Sequence, residues 1–154
     1  MINVKYSKTA DWIWLFIGIA VTVLYLVFAD PFYNMFYYGS DGFSDTMYDT
    51  NMYFVIASVC SCVVWAVAII YYLLLDTVKL SRFWGWALSL VIAMALVVLL
   101  TVYIPDGRLM EDNIDYLTDL WLVGVINIIV SLVMYLIVSL SLKGLSINCR
   151  TYPF

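Results

Sequence analysis

Four uninterrupted apolar stretches constrain this chain more than any other feature. They run from Trp12 to Ala29, Tyr53 to Leu75, Phe83 to Ile104 and Leu120 to Leu142, and none contains a charged residue. Each is close to the ~20 residues that cover a hydrocarbon layer ~30 Å thick at ~1.5 Å per residue. Hydrocarbon offers no partner for a bare peptide group, so runs of this length satisfy themselves as helices; a barrel strand would alternate and be half as long. Composition agrees, with 66% hydrophobic and 12% charged residues and a mean hydropathy of +1.00. Soluble domains carry about a quarter of their residues charged. The expectation is an all-α membrane protein: one domain, four transmembrane helices in a compact bundle at about 12–29, 53–75, 83–104 and 120–142. Outer loops would span 30–52 and 105–119, with a cytoplasmic loop at 76–82 and a cytoplasmic tail at 143–154. The first run resembles a signal peptide only in its preceding Lys5 and Lys8. It is too long, and Asp30-Pro31-Phe32-Tyr33 lacks a small-x-small cleavage pattern, so it reads as a retained span.

Charge orients the bundle. Of the basic residues Lys5, Lys8, Lys79, Arg82, Arg108, Lys143 and Arg150, all but Arg108 fall on the side that holds both termini. By the positive-inside rule that side is cytoplasmic. Nine of the eleven acids fall on the other side, so the net charge of −4 conceals a strongly dipolar molecule. With no Asn-x-Ser/Thr sequon to suggest a secretory route, the reading is an integral protein of a bacterial inner membrane.

Local chemistry marks the helix ends. Pro31 and Pro105 are expected to stop the first and third helices at the outer interface. Asp49-Thr50-Asn51 and Thr118-Asp119 are expected to cap the second and fourth. "DWIWLFIG" and "FWGWALS" open two similar outward-running helices, each followed by a proline, an acidic stretch and a return helix. Two parallel hairpin repeats would have this form.

Candidate chemistry is sparse. No Asp, Glu, Lys or Arg lies within the apolar runs and the chain has no histidine, which removes the usual signs of proton-coupled transport, general-base catalysis and metal binding. Catalytic residues, cofactors and metal ligands are therefore expected to be absent. Gly124, Asn127, Ser131, Tyr135 and Ser139 recur every three or four residues and share one helix face. Such a stripe is a helix-packing seam, with Asn127 hydrogen-bonding across it, or a pore lining. Gly85, Ser89 and Ala93 in the third helix and Gly18 and Thr22 in the first repeat the small-xxx-small spacing that lets membrane helices approach closely. Ala57, Ser61 and Ala68 give the second helix a similar region. Cys60 and Cys62 lie on a helix about 200° apart and cannot bridge each other, so they read as buried apolar residues.

The outer acids Asp41, Asp45, Asp49, Glu111, Asp112 and Asp115 read as a solvated surface. Gly39, Gly42 and Ser44 argue against one continuous helix through the first three, and their spacing is not that of a calcium loop. "FYNMFYY" just upstream holds more aromatic rings than solvation requires and reads as an interfacial segment. The tail, with Arg150, Tyr152 and Phe154, is a possible docking peptide for a cytoplasmic partner.

The expected function is that of a non-enzymatic polytopic subunit, an anchor or scaffold in a larger membrane complex such as a secretion or envelope machine. Its partners would be the lipid bilayer and other copies of itself or other membrane subunits, with no nucleic acid. The alternative is a homo-oligomeric pore whose acidic outer vestibule concentrates cations.

Overall fold

Apolar runs without a backbone partner in the surrounding medium fold into helices, and the computed structural model of the chain contains, among its described residues, only helices and their connections. These residues are 8–37, 39, 42–75, 83–111 and 115–146. In chain order the helices are α1 (Lys8–Val27), α2 (Ala29–Phe36), α3 (Phe43–Asp49), α4 (Met52–Ile69), α5 (Phe83–Glu111) and α6 (Leu117–Leu142). A π-helical turn, Ile70–Leu74, prolongs α4, and a 3₁₀ turn, Lys143–Leu145, follows α6. Three spans are long and apolar enough to cross a membrane: α4 with its π turn, α5 and α6. The pair α1–α2, bent by 70°, forms a fourth if counted as one broken span. The expected loop 76–82, and with it Lys79 and Arg82, lies outside the described residues, as do Asp41, Asp112 and tail residues 147–154, including Cys149, Arg150, Tyr152 and Phe154.

The long helices pack in the order α1, α6, α5, α4, with α4 also touching α6 across the bundle. In the second hairpin α5 and α6 lie directly together, whereas in the first α1 leans on α6 more than on its own partner α4. Two clusters of buried side chains fill the interior. One, around Val64, Tyr71, Trp86, Val97, Met134 and Tyr135, occupies the half nearer the termini. The other joins Tyr33 of α2 and Phe43 and Met47 of α3 to Tyr53, Ile56, Leu109 and Leu120 at the opposite end.

Both proline expectations need correction. Pro31 does not end a helix; it occupies the third position of α2, in the first turn, where a missing N–H is tolerated. The break falls upstream, at Phe28; Pro31 cannot donate to the Val27 carbonyl, which marks this stretch as the weak point of the helix without by itself bending it. The chain turns at Phe28, and the Phe32 N–H then reaches the Phe28 carbonyl at 3.0 Å. Pro105 stops nothing either. It is buried inside α5, which runs on to Glu111. The extra turns place Leu109, 1% exposed, in the second cluster, and that burial offsets the single hydrogen bond lost at the Thr101 carbonyl.

The expected outer loop 30–52 is largely helical for a related reason. Gly42 adopts φ +81°, a left-handed conformation that side chains resist, and thereby lets α3 start afresh at Phe43. Phe43 and Met47, one turn apart, are fully buried, while Asp45 and Asp49 face outward. The expected side-chain caps differ as well. Asn51 precedes α4 with φ 55° and makes no cap hydrogen bond, and the Thr50 hydroxyl donates back to the Thr46 carbonyl at 2.6 Å. At α6 it is Asp115 that accepts the Leu117 N–H, at 3.2 Å.

Candidate functional site: a buried hydrogen-bond relay under α2

The polar face of α6 is the richest feature of the bundle, and every residue of it is turned inward. Gly124, Asn127, Ser131, Tyr135 and Ser139 are all buried. Gly124 admits α5 so closely that a Cβ there would sit 3.1 Å from Val102. Asn127 is fully buried and both ends of its amide are engaged. Its Nδ2 donates to Thr101 Oγ1 on α5 at 3.1 Å, and its Oδ1 accepts from Tyr33 Oη on α2 at 2.6 Å.

Proton counting gives this set a direction. Thr101 spends its proton on the Val97 carbonyl at 2.7 Å, so it can only accept from Asn127. Tyr33 spends its own on Asn127, so in its 2.6 Å contact with Tyr25 it is Tyr25 that donates. The relay therefore runs Tyr25 to Tyr33 to Asn127 to Thr101 to the Val97 carbonyl, and ties α1, α2, α6 and α5 together. Aligned hydrogen bonds in a dry interior polarise one another, so the chain is worth more intact than as separate pairs. Tyr33 also stacks on Tyr53 of α4, with ring centroids 5.4 Å apart and planes 7° from parallel.

The remaining small-residue faces are likewise used within the chain. Ser89 donates to the Trp86 carbonyl at 2.7 Å and accepts from Tyr135 at 2.6 Å; Trp86 Nε1 donates to Ser139 at 3.3 Å. Ala93 is fully buried and Gly85 half-buried. Gly18 lies against Ser141, whose hydroxyl donates to the Trp14 carbonyl at 2.8 Å, and Trp65 Nε1 of α4 donates to Thr22 Oγ1 at 3.0 Å. Of the two described cysteines, Cys60 is buried while Cys62 is exposed, which corrects the expectation that both are buried and agrees with their opposite helix faces.

Beside the relay, Tyr37 Oη donates to Asp119 Oδ1 in the first turn of α6 at 2.7 Å. Burial, and then the Asp119 carboxylate beside it, push the Tyr37 phenol up to about 12. Of the outer acids among the described residues, Asp45, Asp49 and Asp115 are exposed, and Glu111 is the last residue of α5. Among the described residues no group of three or more His, Cys, Asp or Glu could hold a metal ion. The spacing of α6 is enough to single out Asn127 and Tyr135. Nothing in the spacing of residues 32–38 singles out Tyr33, whose partner lies 94 positions away.

No protein-family model, no curated protein and no solved structure matches the chain.

Proposed function

We propose that this chain is a non-enzymatic multi-pass membrane subunit, an anchor or scaffold within a larger complex of the kind found in secretion or envelope machines. The termini would face the cytoplasm of a bacterial cell and the α2–α3 end would lie outside. One observation carries the reading: the most polar membrane-spanning face, centred on Asn127, is buried and hydrogen-bonded inside the chain. The polar relay thus has a structural use, holding α2 in place, and the rest of each long helix offers the bilayer an apolar surface. A pore formed by several copies would need a lining, and the stripe that suggested one is already occupied.

The small-residue faces are consumed within the bundle, so contacts with partners fall to other surfaces. Met35, Phe36 and Tyr48 stand 82%, 58% and 60% exposed on α2 and α3, beside the outward Asp45 and Asp49. An end rich in exposed aromatic and apolar side chains is suited to burying a partner's surface. Mild-detergent extraction from the native membrane, with mass measurement of the intact assembly, tests this. A hetero-complex that loses its partner on Met35→Asp supports the anchor role. A homomer that conducts cations after reconstitution, or a lone chain, overturns it.

A further inference from the structure

Contacts between α1 and α6 fix the height at which α1 ends. The two helices run antiparallel: Gly18 lies against Ser141, and Tyr25 lines one groove with Val130 and Met134. Ten residues on from Gly18 and ten back from Ser141 set Phe28, where the chain turns, level with Ser131. Trp121 lies ten positions further out along α6, about 15 Å at ~1.5 Å per residue. From that level α2 departs at 70° to α1, and its Tyr33 reaches only Asn127, still six positions, about 9 Å, short of Trp121.

The outer rim of the apolar surface is therefore at two heights. On the α5–α6 face Leu122 and Val125 are exposed, and the exposed rings of Tyr103 and Trp121 close the belt edge to face, 6.2 Å apart. Aromatic rings in such belts sit at headgroup level. On the α1 face the apolar run ends at Ala29, and α2 follows with Asp30 and Asn34 half-buried, each with one side-chain oxygen that has no hydrogen-bond partner. A flat boundary through Trp121 would sink Asp30 about 9–15 Å into a hydrocarbon half-layer ~15 Å deep, where a carboxylate is expensive. A flat boundary through Asp30 would instead leave Leu122 and Val125 in water.

We propose that the outer leaflet is pinched at the α1–α2 face: water and headgroups come down from the level of Trp121 to Asp30 and Asn34. On this face α2 is hydrated at a depth that is hydrocarbon on the α5–α6 face. Local thinning is one of the ways a bilayer meets a span shorter than itself. Water drawn to α2 can donate to the two unpartnered oxygens, and Met35, exposed on the same helix, meets water rather than lipid. The inference rests on the membrane-spanning reading above and on no particular partner.

Hydroxyl-radical footprinting of the chain in dioleoyl phosphatidylcholine nanodiscs tests it, because methionine oxidises where water reaches it. The probes are Met35 and the methionine introduced by Val125→Met, an exposed position that lies further out along α6 than Asn127. Met35 is expected to oxidise at least five-fold faster than that methionine, with Met94 in the middle of α5 protected. Equal, fast oxidation of the two outer probes would mean a flat boundary through Asp30, and equal protection a flat boundary through Trp121; either overturns the proposal. So does an infrared dichroism in oriented bilayers that puts the mean helix tilt beyond about 40°, since a leaning bundle would then account for the two heights. Oxidation of Met94 as fast as Met35 would remove the spanning reading as well.

Discussion

The two hairpins meet a proline at comparable points and respond in opposite ways. At Pro31 the chain breaks and turns by 70°; at Pro105 the helix carries on for six more residues. The proline removes the same donor in both, so the outcome is decided by the buried contacts downstream of it. Beyond Pro105 the next buried side chain, Leu109, lies straight ahead along α5. Beyond Pro31 it is Tyr33, whose phenol reaches Asn127 only if α2 folds across the end of the bundle. Proline sets where a membrane helix is weak, and tertiary contacts decide whether it bends there.

The largest effect on that comparison is expected from Asn127→Leu, which strands the Tyr33 hydroxyl and removes the donor to Thr101. Unfolding titrations in mixed micelles should show a loss of about 2–3 kcal/mol. A double-mutant cycle with Tyr33→Phe should show coupling, and strictly additive losses would mean that the relay does not hold α2. Next, Pro105→Ala restores the N–H that the Thr101 carbonyl lacks and should stabilise the protein by about 1–2 kcal/mol. Pro31→Ala should change stability by less than about 0.5 kcal/mol, because a first-turn proline sacrifices no helical bond. Spin-label distances across Phe28 should keep the bend in Pro31→Ala; a straightened α1–α2 would show that the proline, not Tyr33, makes it.

Gly18→Ala probes the middle of α1, where a methyl group would collide with the Ser141 hydroxyl. A cost of about 1 kcal/mol is expected, smaller in the Ser141→Ala background, with α2 undisturbed. The smallest effect concerns Tyr37. Its phenol titrates near 10 when unfolded and is raised to about 12 in the fold. The contribution is therefore complete below pH 10 and is lost as pH rises through about 12. Stability of the wild type relative to Tyr37→Phe should fall across that window, and a flat difference would remove the Tyr37–Asp119 hydrogen bond from the account.

Much of the architecture is legible in the sequence because it rests on local physics. Uncharged runs of spanning length are helices wherever they lie, and the three- and four-residue steps from Gly124 to Ser139 mark one face without knowledge of its neighbour. The α2–α3 end reads as loop because residues 30–52 mix Pro, Gly and Asp with aromatic rings and show no helical period. Its helices are specified by distant partners: Tyr33 by Asn127, Tyr37 by Asp119, and Phe43 by Tyr116, with ring centroids 5.3 Å apart. Pro105 misleads for the same reason, since the burial of Leu109 depends on the cluster around it. The cap expected at Thr50 fails because its hydroxyl finds the Thr46 carbonyl within reach, and Asn51 stands before α4 in a left-handed conformation without a side-chain cap.

The 94-residue separation between Tyr33 and Asn127 also orders events during synthesis. At about 5–20 residues per second, roughly 5–20 seconds pass between the making of α2 and the making of its acceptor. During that interval α1, and later α4, become available to insert, while the Tyr33 phenol lacks the acceptor that pins it. The first hairpin to be made is thus the last to be completed, and an insertion factor or chaperone has that window in which to hold residues 29–36.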